Sequence, residues 1–292
     1  MTDADGTSQR LAEAYRSHER RWRDNLHVYG VVSRRSRGLS IGINLSPGRE
    51  CNFNCAYCQV ERRLVPRRPA VDIAALDREL EEILRAERDG VLYADPPFSL
   101  LGAAERGVRD IAFAGNGEPT LYPRLAEAVR SAAAARARFG LDAARLVLLT
   151  NAEYLDRPAV RPALAALYAH GGEIWAKLDA GSESWFRRVN RARAPLERIL
   201  GNILEAARSR PLVIQSLWMR LGGEEPPVGE IEAWCGRLRD IVAGGGEIRA
   251  VYLYTVARRP AEDAVSPLGP QGLESIAAAA RASVPVAVEV FP

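Results

Sequence analysis

Lysine is almost missing from this 292-residue chain. Lys177 is the only one, so nearly all of the 40 basic side chains are arginine. Alongside the many alanines, this marks a genome-wide codon bias rather than a choice made for phosphate binding. An excess of either charge is missing too: 37 acidic residues leave a net charge of +3. A balance that small does not favour a nucleic-acid partner. No apolar run is long enough to span a bilayer. The N-terminal segment, rich in Asp, Arg and Glu, has no apolar stretch of signal-peptide type. From these absences we expect a cytoplasmic protein with no membrane partner. Cysteine is scarce, with 4 in the chain, yet three fall within eight positions. In a cytoplasmic chain such clustering indicates metal ligation rather than a disulfide framework.

What is present is ordinary globular material, 47% hydrophobic and 26% charged, enough for one large α/β barrel or two ordinary domains. Residues 8–25 are charged and predict a surface helix. Leu26–Val32 and Leu39–Leu45 flank the basic turn 33–38 and predict a hairpin or a pair of short strands. After the cysteine loop the hydrophobic period alternates. Helices are expected at Ile73–Arg88, Leu125–Phe139, Val160–Ala169, Leu196–Ser209, Gly229–Val242 and Leu273–Ala282. Strands are expected at Asp110–Ala114, Leu146–Thr150, Glu173–Leu178, Leu212–Met219, Ile248–Val256 and Val286–Val290. This order predicts right-handed βαβ units and a parallel sheet. The count is roughly six units, fewer than the eight of a closed barrel. Residues 62–69 and 94–106 are expected to be insertions.

The segment Cys51-Asn-Phe-Asn-Cys55-Ala-Tyr-Cys58 is C-x3-C-x2-C on a loop directly after a strand. Three thiolates on one tight loop can each hold one iron of a cubane cluster, leaving the fourth iron open. An open position suits a catalytic metal and a closed one a structural metal. A zinc knuckle or an electron-transfer cluster is the competing reading, and it needs a fourth ligand. His27, His170 and Cys235 are all distant in sequence. Cys235 shares an apolar helical face with Ile231, Trp234, Leu238 and Ile241, so it is expected in the core.

With an aromatic, Tyr57, before its last cysteine, the motif resembles the signature of radical S-adenosyl-L-methionine (SAM) enzymes. That resemblance implies a partial (β/α)6 barrel, a [4Fe–4S] cluster on Cys51, Cys55 and Cys58, and bound SAM. Residues 1–38 would be an N-terminal helix and hairpin, 39–260 the partial barrel, and 261–292 a C-terminal helix–strand extension. In that family a glycine- and glutamate-bearing turn after the second strand contacts the methionine amino group of SAM. The matching turn here is Gly115-Asn-Gly117-Glu118-Pro-Thr120. Glycine lets the backbone approach a ligand closely, and Glu118 can accept from an ammonium group. Similar enzymes carry a polar residue after the third strand, here Asn151, which is alternatively a loop-starting cap. On the fourth strand, alternation puts Trp175, Lys177 and Asp179 on the inner face. A buried Lys and Asp need each other or a ligand. They are therefore either SAM contacts at the barrel rim or a structural ion pair. On the fifth strand one of Gln215 and Ser216 faces inward, and the pattern does not say which.

The run from Tyr29-Gly30 through Ser33-Arg34-Arg35 to the two motifs is similar to the wyosine-synthase-like branch, whose members modify a guanosine in tRNA using pyruvate. Those enzymes carry a second cluster on three further cysteines, and here only Cys235 remains. The resemblance therefore implies a relative with another substrate. The implied chemistry is reductive cleavage of SAM, with electrons from a flavodoxin- or ferredoxin-like donor, to a 5′-deoxyadenosyl radical that takes hydrogen from an unidentified substrate. Modification of a tRNA base, modification of a peptide or protein, and a non-enzymatic zinc or electron-transfer role are the alternatives.

The ligand assignment predicts that alanine at position 51, 55 or 58 each abolishes the broad visible iron–sulfur absorbance of anaerobically reconstituted protein. Cys235→Ala should keep it, and loss of absorbance in that variant would contradict the core reading of Cys235.

Overall fold

Apolar strands rich in β-branched residues alternate with amphipathic helices along the computed structural model, which describes residues 3–16, 22–61 and 71–292. They pack as two compact units that interleave in sequence. Of the described residues, 51–61, 149–161 and 173–292 make up the second unit and the others the first.

The first unit opens with α1 (Asp3–Arg16), then the hairpin β1 (Val28–Ser33) and β2 (Gly38–Ile43). Then come α2 (Ile73–Arg88), β3 (Val108–Phe113), α3 (Leu125–Arg138), β4 (Arg145–Thr150) and α4 (Arg161–Ala169). The strands lie in the order β1-β2-β3-β4, parallel from β2 onward. Helix α2 buries Leu76, Leu80, Ile83 and Leu84, the stripe expected of a 3.6-residue period, and Asp72 caps its first turn. Its Glu79 carboxylate accepts from the backbone N–H groups of Leu26, His27 and Val28 at 3.1, 2.7 and 2.8 Å. Those bonds seat the helix on the start of β1.

The second unit holds β5 (Glu173–Lys177), α5 (Glu183–Val189), α6 (Leu196–Ser209), β6 (Leu212–Leu217) and β7 (Met219–Leu221). It continues with α7 (Val228–Ala243), β8 (Ile248–Tyr254), β9 (Val265–Pro267), α8 (Pro270–Ser283) and β10 (Ala287–Phe291). Strands β5-β6-β8-β10 run parallel, and β7 and β9 pair antiparallel. Cys235 is buried in the core face of α7, where the helical spacing put it.

Three expectations need correction. The N-terminal helix is Asp3–Arg16 rather than 8–25. Residues 22–25 form a turn in which Asn25 N–H reaches Trp22 O and Arg23 has φ +51°, a conformation no helix continues through. The positions between, like the expected insertion at 62–69, lie outside the described residues. The expected strand Leu212–Met219 is two strands, because Trp218 turns its N–H to Tyr254 O between them. Helix α5 was not expected at all.

Asp110 on β3 is buried, bonded by the Ser40 hydroxyl and 3.6 Å from the Arg145 guanidinium. Burial raises its carboxyl above the ordinary value, against the pull of Ser36, Ser40, Arg145 and Arg35. The native state therefore keeps a proton that the unfolded chain releases near pH about 3.9. The contribution to stability is full below that pH and is lost as pH rises through the folded value. Asp110→Asn should remove that loss. Its urea midpoint relative to the wild type should improve as pH rises above about 4, and a difference flat with pH would contradict this.

Candidate cluster and cofactor site

The cysteine loop is held by α5. Ala56 N–H donates to Val189 O at 2.8 Å and Asn54 N–H to Asn190 O at 3.3 Å. The loop thereby satisfies carbonyls that the helix end leaves open. Phe53 packs edge-on against Phe186 at 5.7 Å, and Cys58 N–H closes a turn onto Cys55 O at 3.0 Å. Helix α5 is itself pinned at its start. The Ser182 hydroxyl accepts from Trp185 N–H at 3.2 Å, and Glu230 on α7 accepts from Gly181 N–H at 2.5 Å and from the Ser182 hydroxyl at 2.5 Å. A Cβ on Gly181 would stand 2.0 Å from Trp234 N, so only glycine allows this approach.

Cys51, Cys55 and Cys58, all half-buried, line one cavity of about 470 Å³. Asn52, Arg191 and Glu262 also line it, and among the described residues the lining holds no other cysteine and no histidine. Arg191 and Glu262 form a two-pronged ion pair, and Ala261 N–H donates to Cys58 O at 2.9 Å. The segment after β8 is thus tied to the loop. Burial pushes the Cys55 thiol up to about 12, and the Asp179 charge adds to the shift.

Asp179, just past β5, is the hub beneath the loop. Its Oδ1 accepts from Leu217 N–H at 2.8 Å and meets Lys177 Nζ at 2.9 Å. Its Oδ2 accepts from the Tyr57 hydroxyl at 2.5 Å and from Asn190 Nδ2 at 3.0 Å. Lys177 also donates to the Tyr254 hydroxyl at 2.5 Å and lies over the Tyr57 ring, 5.0 Å from its centre. Burial works against the lysine charge, but the Asp179 carboxylate and the Tyr254 hydroxyl outweigh it and raise the Lys177 value. Tyr57 is pushed far above its ordinary value by burial and then by Asp179. Lys177 and Asp179, expected to contact either a ligand or each other, do pair with each other. Tyr254 on β8 is their third member.

Register settles the β6 question. Lys177 aligns with Gln215 and Gln215 with Tyr252, so Gln215 shares the lysine face. Ser216 takes the other face, where its hydroxyl and Trp234 Nε1 both donate to Leu178 O.

Asn151 joins the cysteine loop from the end of β4. Its Nδ2 donates to Asn52 Oδ1 at 2.7 Å, and Asn52 Nδ2 donates to Glu153 at 2.6 Å. Between them Ala152 is buried at φ +65°, a conformation that costs a non-glycine residue on the order of 1 kcal/mol or more. Asn202 on α6 holds it there by donating to Ala152 O and Glu153 O at 2.9 and 2.8 Å.

The glycine turn lies in the first unit. A Cβ on Gly117 would fall 1.7 Å from Glu50 O, and one on Gly115 2.5 Å from Asn44 Oδ1. Both glycines are there for close backbone approach. Asn44 Oδ1 accepts from Ser46 N–H and Asn116 N–H at 3.2 and 3.0 Å. Glu118 is buried, with Oε1 taking Thr120 N–H and its hydroxyl at 3.1 and 2.6 Å. Its carboxylate therefore caps the following turn.

The donor set fits the expected cluster. Three thiols share one cavity large enough for a cubane, and the lining offers no fourth sulfur or imidazole. Among the described residues, no three Cys, His, Asp or Glu side chains converge as ligands of a single ion. A cubane makes no such demand, since each thiolate holds a different iron. Sequence reasoning missed α5, Asn190, Arg191 and Glu262. The Ser182 cap, Glu183 in the first turn and Arg187 and Arg188 in the last are the signals that α5 carried.

Asp179→Ala should destabilise the protein by about 3–5 kcal/mol, because it leaves a buried lysine charge unpaired. Adding Lys177→Met should recover part of that loss. Thermal unfolding of both variants checks it, and equal stability of the single and double variants would show that the pair carries no such coupling.

Three comparisons bear on this site. The Radical SAM superfamily model matches residues 45–220. The UPF0026 protein of Helicobacter pylori is 27% identical over 186 residues, 61% of this chain and 49% of that protein. The chain thus spans about half the length of the first curated relatives it matches. A radical SAM methyltransferase from Sphaerobacter thermophilus superposes with a TM-score of 0.62 at 15% identity, covering 87% of this chain and 66% of the other. The structure of TYW1 with a lysine–pyruvate adduct bound superposes at 0.52 and 14% identity, covering 92% and 79%. At these identities the likeness is one of fold, and it bears out the radical SAM partial barrel expected from the sequence. With 176 of 292 residues inside the family match and the three motif cysteines lining one cavity, the chain belongs to the radical SAM superfamily.

Proposed function

We propose that this protein reductively cleaves SAM and uses the resulting 5′-deoxyadenosyl radical to take hydrogen from a substrate still to be identified. The observation that carries the reading is the cavity lined by three thiols, built on a buried network and free of other soft ligands. Cys51, Cys55 and Cys58 would hold a [4Fe–4S] cluster, which when bound would supply the electron for reductive cleavage of SAM. The chain supplies position. Helix α5 fixes the loop backbone, Asp179 fixes Tyr57 under it, and the Arg191–Glu262 pair edges the cavity. Within the glycine turn, Glu118 is assigned to the methionine amino group through a charge-assisted bond. Tyr57 and Asn151 are assigned to SAM as well, from loops whose own bonds hold them still. A flavodoxin- or ferredoxin-like donor and a cytoplasmic location complete the proposal. Among the described residues no helix is long and apolar enough to cross a membrane.

A tRNA substrate is the second reading, and two observations weigh against it. Of the four arginines in the segment 187–193, Arg187 is already paired with Glu183 and Arg191 with Glu262. Counterion release from nucleic acid needs free cationic side chains. Lys177, the only lysine, is held as an ammonium by Asp179 and Tyr254. It is a poor amine nucleophile, so a lysine–pyruvate adduct such as the one bound in the TYW1 structure is not carried over to this chain.

Reconstituted protein, dithionite and SAM should yield 5′-deoxyadenosine and methionine under anaerobic conditions. Methylthioadenosine or S-adenosylhomocysteine as the main product would overturn the reading. Glu118→Ala should keep full iron content but bind SAM more weakly, by about tenfold or more for one lost charge-assisted bond. Calorimetry giving an unchanged affinity would remove Glu118 from the site.

A further inference from the structure

Asn190 caps α5 and is buried, and no function was expected of it. Its backbone carbonyl receives Asn54 N–H from the cysteine loop. Its side-chain Nδ2 lies 3.0 Å from Asp179 Oδ2, 3.7 Å from Cys55 Sγ and 3.5 Å from the Tyr57 hydroxyl. The opposite amide orientation would set Oδ1 against the Asp179 carboxylate and against a sulfur that carries negative charge once it binds iron. Asp179 therefore decides which end of the amide faces Cys55. Asp179 is in turn fixed by Leu217 N–H and Lys177. The order of control runs from a strand end, through a carboxylate, to an amide, to one cluster ligand. Among the described residues Asn190 Oδ1 is buried with no hydrogen-bond partner, a cost that the bonds made by its donor end offset.

We infer that Asn190 is a positioning residue for the cluster: it donates an N–H to the Cys55 thiolate and so raises the cluster's reduction potential. A donor at a ligand sulfur stabilises the reduced cluster more than the oxidised one, because the reduced cluster carries one more negative charge. Of the three ligand sulfurs, Cys55 is the one this amide reaches. The inference rests on the proposed cluster-binding function, and the experiment separates the two.

Asn190→Leu keeps the number and branching of the heavy atoms and removes the donor. Wild type and variant are reconstituted anaerobically, assayed for iron and sulfide, and titrated redox-potentiometrically with the reduced cluster followed by electron paramagnetic resonance. If the wild type takes up no [4Fe–4S] cluster, the proposed function itself fails. If both load equally, the variant should be harder to reduce by about tenfold in the oxidised-to-reduced ratio, about 59 mV more negative for one electron. Its reduced-state spectrum should shift as well. Equal loading with an unchanged potential overturns the inference and leaves the cluster intact. Should the leucine variant fail to load, Asn190→Asp keeps the shape, lacks the N–H and should also move the potential down. Failure of both variants to hold iron would mean that Asn190 builds the loop rather than tunes the cluster, and would overturn the inference too.

Discussion

The carboxylate of Asp179 carries more of this site than any other group. A buried acid is costly to desolvate, and it persists only where donors converge on it. Here there are four: a backbone N–H from the end of β6, the lysine ammonium, the tyrosine hydroxyl of the cysteine motif and the cap amide of α5. Each donor comes from a different element, so one charge fixes the relative placement of β5, β6, α5 and the loop. The lysine is the counter-charge that makes this affordable, which gives the chain's only lysine a structural explanation. Arginine, with a rigid fork of five donors, would leave several unsatisfied in so small a space.

Much of this was legible in the sequence. The alternation of hydrophobic periods located nearly every long helix and strand, because helices such as α2 and α6 bury a single continuous stripe. The cysteine spacing named the loop, and strand alternation put Lys177 and Asp179 near one another. What escaped was decided by tertiary contacts. Helix α5 is only seven residues long, shorter than periodicity resolves, and it holds its shape through the Ser182 cap and the Glu230 carboxylate rather than through propensity. Trp218 interrupts an apolar run that reads as one strand, because its N–H finds Tyr254 O. The side of β6 that Gln215 occupies depends on a register that no run of residues states.

Glycine in the G-x-G turn reads differently once the backbone is seen. The motif draws attention as a ligand contact, yet the nearest atoms to the missing side chains belong to the chain's own Asn44, Ser46 and Glu50. The first requirement on Gly115 and Gly117 is thus to let the loop after β2 and the turn after β3 lie against each other. Glu118 likewise stabilises its own turn through Thr120. Groups that serve the fold this firmly have little freedom to move, and rigidity of that kind is what a precise binding site needs.

The bond network around Asn190 also has a temporal side. The Cys55–Asn190 contact spans 135 residues of chain. A ribosome adding about 5–20 residues each second completes the three cysteines on the order of ten seconds before it completes the helix that shapes them. During that interval the thiols have no platform, and a cluster delivered then would meet an unformed loop. Under the proposed function, cluster insertion waits until synthesis has passed α5, which ends at Val189, and the three neighbouring thiols must stay reduced until then.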